Sequence, residues 1–146
     1  MVLRCLLYIR WVILTGAFLA EAAAAVDNKL DVRGGVLAAC EVGPDHIAKV
    51  TLVVLTRAEA GDKAAKLNIE VVKPSGDSES VELDIPGATL GGENGFAFFP
   101  IGIQAETYGR YVLEVTSGGG SVSLPLRLQP GGLHLTATRR NKHLRQ

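Results

Sequence analysis

The sequence predicts an all-β protein, a single antiparallel β-sandwich of the immunoglobulin-like (Ig-like) kind with about seven or eight strands. Short apolar runs alternate with Gly, Pro, Asp and Asn turns along most of the 146 residues, which is typical of sandwiches and barrels. No long segment has helical periodicity, and strands do not alternate with helices as in a parallel sheet. Because 47% of the residues are apolar and 21% charged, the chain can form a hydrophobic core.

The first predicted strands form a hairpin. Residues 12–26 are an apolar strand, Asp27-Asn28 is a turn, and the chain returns through KLDVRGGVL. Asp and Asn tolerate the left-handed backbone conformation that tight hairpin turns require. The Gly34-Gly35 pair in the second strand indicates a bulge or a close backbone approach.

The middle strands are predicted from their apolar patterns. Residues 47–57 carry apolar side chains on both faces, which is typical of a central strand. The two strands around the Pro-Ser-Gly-Asp turn at 74–77 alternate apolar with polar residues. Their predicted inward positions are Leu67, Ile69, Val71, Val81, Leu83 and Ile85.

The next strand contains three of the four Phe residues. We expect Phe96, Phe98 and Phe99 to belong to the core, with one of them facing away from the other two. Pro100 predicts an edge or bulged strand, because proline cannot donate a ladder hydrogen bond. This strand is therefore our candidate for association through a sheet edge.

The last two strands are predicted to close the sandwich. Tyr111 follows Tyr-Gly-Arg near a strand start and resembles the corner tyrosine whose hydroxyl binds the backbone in sandwich folds. A Gly-rich hairpin tip at 118–120 leads to the closing strand, whose inward residues are Val122, Leu124, Leu126 and Leu128. Residues 131–146 form a basic flexible tail.

The N-terminal residues allow more than one interpretation. Residues 1–11 are interpreted as an extension, from a misannotated start or part of a signal sequence, and the domain as residues 12–130. The apolar run and the alanines at 20–25 favour a cleaved signal peptide, but Arg10 interrupts the run. No transmembrane helix is expected, since Arg10 and Glu21 bracket too short an apolar segment. We expect a cytoplasmic protein, with a secreted or periplasmic one as the alternative.

No catalytic, cofactor-binding or metal-binding residue is predicted, and no cofactor. The three His and two Cys lack the spacing of metal ligands. The Gly-rich segment at 86–95 lacks the GK[ST] ending of a phosphate loop, and there is no G-x-S-x-G motif. Glu82 and Asp84 are expected on a solvated face. Leu37-Ala-Ala-Cys40 matches a lipobox but follows a charged segment, so Leu37 and Cys40 are interpreted as core residues at a strand end.

Charge is distributed unevenly along the chain. Residues 27–132 contain nine Lys/Arg and fourteen Asp/Glu, whereas residues 133–146 contain four basic residues and no acid. An acidic body with a basic tail is unlike a nucleic-acid-binding domain, whose basic residues cover a folded face. We therefore expect no nucleic-acid partner.

The stretch FLAEAAAAVDNKLDVRGGV, followed later by YGRYVLEV and a Leu-rich closing strand, resembles a family of uncharacterised bacterial β-proteins, a domain of unknown function. The resemblance covers about residues 13–129. It implies a small soluble β-domain without assigned activity or catalytic residues.

These observations predict a non-enzymatic domain that binds or scaffolds a protein partner not identified by the sequence. The first alternative is an exported adhesion or carbohydrate-binding module. The second is a hydrolytic enzyme without a recognisable motif.

Overall fold

The computed structural model describes residues 13–57, 65–85, 93–117 and 120–131, which form ten strands and no helix. The strands are β1 (Ile13–Ala20), β2 (Ala22–Val26), β3 (Lys29–Arg33), β4 (Ala39–Val42), β5 (Ile47–Arg57), β6 (Ala65–Val72), β7 (Ser78–Ile85), β8 (Gly95–Gln104), β9 (Gly109–Ser117) and β10 (Gly120–Pro130). The predicted all-β class is confirmed. Within these ranges, no helix is long and apolar enough to cross a membrane.

The strands form a β-sandwich, as predicted. A three-stranded sheet in the order β1-β5-β8 packs on a five-stranded sheet in the order β4-β10-β9-β6-β7, and β2 pairs with β3 in a separate hairpin. The pairs are antiparallel except for β4, which runs parallel to β10. The parallel pair differs from the predicted, wholly antiparallel sandwich. It arises because the chain crosses from the β2–β3 hairpin to the five-stranded sheet before β4 begins. The crossing is held by a 3.0 Å hydrogen bond from the Arg127 N–H to the Ala38 carbonyl.

The core lies between the two sheets and uses one face of each of their strands, because alternate side chains of a strand point to the same face. β5 is the central strand of its sheet, as its apolar pattern predicts. Each fully buried aliphatic side chain contributes about 1.5–3 kcal/mol relative to its exposed state. The largest core side chains are Leu19, Leu52, Val54, Leu67, Ile69, Tyr111, Leu113, Val115, Leu126 and Leu128.

Most predicted inward positions are confirmed, with one exception. Val81 is 48% exposed, because β7 is the edge strand of the five-stranded sheet and the first five residues of this strand are all exposed. Leu37 and Cys40 are partly buried against the core, which confirms their interpretation as packed residues.

The predicted first strand, residues 12–26, is divided at Glu21. The part before Glu21 is β1, which pairs with β5, whereas the part after it is β2, which pairs with β3. This division, with the short β4, explains why there are ten strands rather than seven or eight. The Asp27-Asn28 turn is confirmed, with φ of 53° and 62°, the positive values of a type I′ hairpin.

The glycine pair after β3 makes the predicted close approach. A Cβ atom on Gly35 would lie 3.2 Å from a ring carbon of Phe18 and 3.0 Å from a methyl of Val32. The chain therefore passes directly over β1 at this point. The Leu37 N–H donates to the Leu19 carbonyl at 2.7 Å, so this segment also covers part of the β1 edge.

Tyr111 has the predicted corner geometry. Its ring is 1% exposed, and its hydroxyl donates a 2.7 Å hydrogen bond to the Thr107 carbonyl. Gly109, two residues earlier, has a φ of 136°, which favours glycine at the bend. The hydrogen bond fixes the loop between β8 and β9.

Several predictions lie outside the described residues. These are the extension at 1–11, most of the Gly-rich segment at 86–95, the hairpin tip at 118–119 and nearly all of the basic tail. The domain boundaries at 12 and 130 stay predictions.

Candidate binding surface

The outer face of the three-stranded sheet is apolar. Phe18 of β1, Val53 and Leu55 of β5, and Phe96 and Phe98 of β8 share this face, opposite the core. We call these five residues the aromatic face. An outer sheet face normally carries polar side chains, so this surface needs an explanation other than core formation.

The aromatic face is ordered by strand register. Phe18, Val53 and Phe98 are direct neighbours across the three strands. The two rings flank Val53, which is 0% exposed although it points away from the core. The rings themselves stay partly exposed, so the sheet presents aromatic surface to solvent.

The expectation for the three Phe residues of β8 is partly wrong. Phe99 packs against the core, whereas Phe96 and Phe98 lie on the opposite face because they alternate with it along the strand. One ring does face away from the other two, as expected. The inward ring is Phe99, whereas Phe96 and Phe98 point outward and form part of the candidate surface.

The edge of β8 is also available for pairing. β8 is an edge strand, as Pro100 predicted. Just after β8, the Ala105 N–H donates to the His46 carbonyl at 2.8 Å. Hydrogen-bonded pairs recur at every second residue of an antiparallel ladder. In this register the backbone groups of Phe96, Phe98 and Pro100 therefore point away from β5.

Pro100 occupies one of these outward positions, so its missing N–H breaks no bond to β5. Within the described part of the chain, the N–H groups of Phe96 and Phe98 point away from β5 toward the position of a further strand. The ten residues of β8 include no charged side chain. The edge thus lacks the charges that usually prevent strands from adding to a sheet.

Two basic residues flank the aromatic face. Lys49 and Arg57 lie on the outer face of β5, on either side of Val53 and Leu55. Lys49 makes an exposed, 3.9 Å ion pair with Asp45. No acidic residue occurs in β1, β5 or β8, so the apolar surface is bordered by positive charge.

A cleft of about 390 Å³ lies beside Lys49, and Glu21, Cys40 and Glu41 also line it. Burial raises the pKa of the Cys40 thiol, and the carboxylates of Glu41 and Glu21 raise it further. A thiol held protonated in this way is a poor nucleophile. Within the described ranges, no group of His, Cys, Asp and Glu side chains could hold a metal ion.

The acidic residues of β7 are solvated, as expected. Asp84 accepts a 2.8 Å hydrogen bond from the Lys66 ammonium across the β6–β7 pair, and this bond raises the pKa of Lys66. Glu82 is exposed on the same face. The structure thus gives these carboxylates surface positions rather than a shared cleft.

No family model and no curated protein matches the chain, so the resemblance to the uncharacterised bacterial β-domain family stays a prediction. Solved structures do match. One is the alkylpurine DNA glycosylase AlkC of Pseudomonas fluorescens bound to DNA with an abasic site analog, at 14% identity over 81% of this chain and TM-score 0.45. This chain spans only 30% of the glycosylase chain.

Two smaller proteins match over nearly their whole length. The CARDB domain of a Pyrococcus furiosus protein in complex with di-metal ions shares 9% identity, covering 80% of this chain and 94% of its own, at TM-score 0.46. An immunoglobulin-like protein of Pseudomonas aeruginosa shares 16% identity, covering 80% and 96%, at TM-score 0.38.

The sequence analysis did not predict the aromatic face as a binding site, although two of its features can be read from the sequence. β5 is apolar on both faces, and Phe96 and Phe98 have the two-residue spacing of a shared face. The position of Phe18 beside Val53 depends on the pairing of β1 with β5, which the sequence does not state.

Proposed function

We propose that this chain is a non-enzymatic protein-binding domain that takes up an extended, apolar segment of a partner along β8 and over the aromatic face. One observation carries the proposal: an uncharged edge strand of ten residues adjoins aromatic side chains that remain partly exposed on an outer sheet face. Addition of a strand to such an edge is a common mode of peptide recognition. Main-chain hydrogen bonds supply affinity, and alternate side chains supply specificity.

The surrounding residues support this mode of binding. An incoming strand beside β8 receives donors from Phe96 and Phe98, and its side chains on the outer face extend the aromatic surface. Contiguous apolar surface on a soluble domain commonly marks an interaction site. Lys49 and Arg57 at the border favour a segment with acidic flanks.

The proposal is tested with a defined probe, a capped ten-residue peptide of alternating Val and Thr with one Asp at each end. Titration into the ¹⁵N-labelled protein is expected to shift the amide signals of Phe96 and Phe98 and to slow their hydrogen exchange. A peptide of the same length and charge with Ser in place of Val is the control. Shifts that cluster on β7, or equal shifts with both peptides, would contradict the proposal.

One variant tests the contribution of the aromatic face to peptide binding separately from that of the β8 edge. Phe18 contributes a ring to the aromatic face but lies on β1, away from the β8 edge. Phe18→Ser is expected to weaken peptide binding severalfold while the same β8 amides still respond. Unchanged affinity would remove the aromatic face from the binding site.

We further propose a cytoplasmic protein that keeps residues 13–26 in its mature form. Leu19 and Ala20 are 1% and 0% exposed, and they pair with Leu52 and Thr51 of β5. Cleavage after the alanines would leave the central strand of the sheet without one neighbour. Peptide mapping of the native protein is expected to recover Phe18 and Leu19, whereas a mature N-terminus at or beyond Ala23 would favour the exported alternative.

A further inference from the structure

We infer that the segment bound along β8 is the β8 strand of a second copy of this chain, so that the protein is a two-fold symmetric dimer. This inference rests on the proposed function, since it names the partner of the same edge. The two three-stranded sheets would join into one continuous sheet, with β8 next to β8 at its centre.

The four edge strands of the two sheets differ in how well they could pair with the same strand of a second copy. β7 carries three acidic residues, Glu79, Glu82 and Asp84, in eight positions, so two copies would repel one another there. β4 has only four residues, one of them Glu41. The edge of β1 is partly covered, because the Leu19 carbonyl accepts from Leu37. Among the described strands, β8 is the long, uncharged edge.

The sequence of β8 is complementary to itself when two copies run antiparallel with the two-fold axis at Phe98. In this register Phe98 lies opposite Phe98, and Phe96 lies opposite Pro100 of the other copy. Toward the core side, Ala97 lies opposite Phe99 and Gly95 opposite Ile101. Each small residue thus meets a large one, which allows close packing across the junction.

The backbone groups also match in this register. Phe98 of each copy donates to and accepts from its counterpart, as in a hydrogen-bonded antiparallel pair. Phe96 of each copy donates to the Pro100 carbonyl of the other. The pairing supplies about four hydrogen bonds, two between the Phe98 residues and one from each Phe96 N–H, and the Phe96 carbonyl that faces the Pro100 nitrogen receives none.

Dimerisation would complete the candidate surface. Each copy contributes the same aromatic face, and the two faces lie on the same side of the joined sheet because the two-fold axis runs perpendicular to it. The rings of Phe96 and Phe98 from both copies then meet at the centre. A single copy presents only half of this surface, and a C2 interface of this kind is isologous.

Light scattering coupled to size exclusion tests the dimer. The full chain is expected at about 31 kDa, twice its 15.4 kDa. Phe98→Lys places two like charges opposite one another and removes a ring pair, so the dissociation constant is expected to rise at least about tenfold. Val81→Lys, at a residue 48% exposed on the other edge strand β7, is the matched control and is expected to stay dimeric.

Cysteine crosslinking tests the register without relying on a disrupted variant. With the axis at Phe98, two copies of that residue have Cα atoms about 5.5 Å apart, within the reach of a disulfide. Phe98→Cys is therefore expected to form a covalent dimer under mild oxidation. In Gln104→Cys, on the same face and strand, the two cysteines would be about 40 Å apart and are expected to give no such product above the wild-type level.

The outcomes separate this inference from the proposed function. A monomeric wild-type chain, an unchanged dissociation constant in Phe98→Lys, or equal crosslinking at Phe98 and Gln104 would each overturn the inference. If the chain is monomeric but still binds the Val-Thr peptide at β8, the proposed function stands without the dimer. If the chain is dimeric and crosslinks at Phe98, but the peptide neither shifts a β8 amide nor dissociates the wild-type dimer, the edge serves self-association alone.

Discussion

Replacement of Tyr111 by Phe tests whether the corner hydrogen bond stabilises the loop between β8 and β9. The ring is 1% exposed and remains buried in the variant, so the change removes only the hydroxyl. The lost interaction is the 2.7 Å hydrogen bond to the Thr107 carbonyl. A neutral intramolecular hydrogen bond has a net value of about 1 kcal/mol, and we expect Tyr111→Phe to lower the free energy of unfolding by this amount.

Urea unfolding followed by circular dichroism measures this change. With an m-value of about 1.5 kcal/mol/M, typical of a small domain, the midpoint is expected to fall by about 0.7 M. Tyr108→Phe is the control, because Tyr108 is 45% exposed and its hydroxyl can bond to water. If both variants unfold at the same urea concentration, the corner hydrogen bond does not stabilise the fold as argued. A changed m-value would instead indicate an altered unfolded or native state.

Three further predictions follow from buried and half-buried groups. Thr56→Val is expected to raise the unfolding free energy by about 1 kcal/mol, since the Thr56 hydroxyl is buried and has no hydrogen-bond partner among the described residues; a lower thermal midpoint would contradict this. Phe99→Ala is expected to cost about 2–3 kcal/mol and Phe96→Ala less than about 1 kcal/mol, and equal losses would place both rings in the core. Because the pKa of Cys40 is raised, its thiolate fraction at pH 8 is low, and iodoacetamide is expected to modify it slowly. Glu41→Gln lowers that pKa and is expected to accelerate the modification, as measured by peptide mass spectrometry.

The apolar alternation of the strands is readable from the sequence because side-chain direction in a strand has a period of two. This period correctly predicted the inward faces of β6 and β10, and it predicted β5 as a central strand because both of its faces are apolar. Local chemistry was equally informative at the Asp27-Asn28 turn, where short polar side chains tolerate positive φ. Tyr111 and Pro100 were also predicted correctly from their immediate neighbours.

The candidate surface could not be predicted in the same way. A period of two shows which residues share a face, but not which face meets the opposite sheet. Phe96 and Phe98 were therefore expected in the core together with Phe99, although only Phe99 lies there. The aromatic face requires residues from three strands, and Phe18 joins it only through the pairing of β1 with β5.

The sequence by itself determined the local elements of this protein: its strands, its tight turn, its corner tyrosine and an edge strand without charges. The tertiary structure alone decided how those elements meet. It divides the first predicted strand at Glu21, pairs β4 in parallel with β10, and turns two phenylalanines away from the core. The physical reason is that strand pairing joins residues far apart in the chain, so the choice of partner depends on the packing of the whole sandwich rather than on any local pattern.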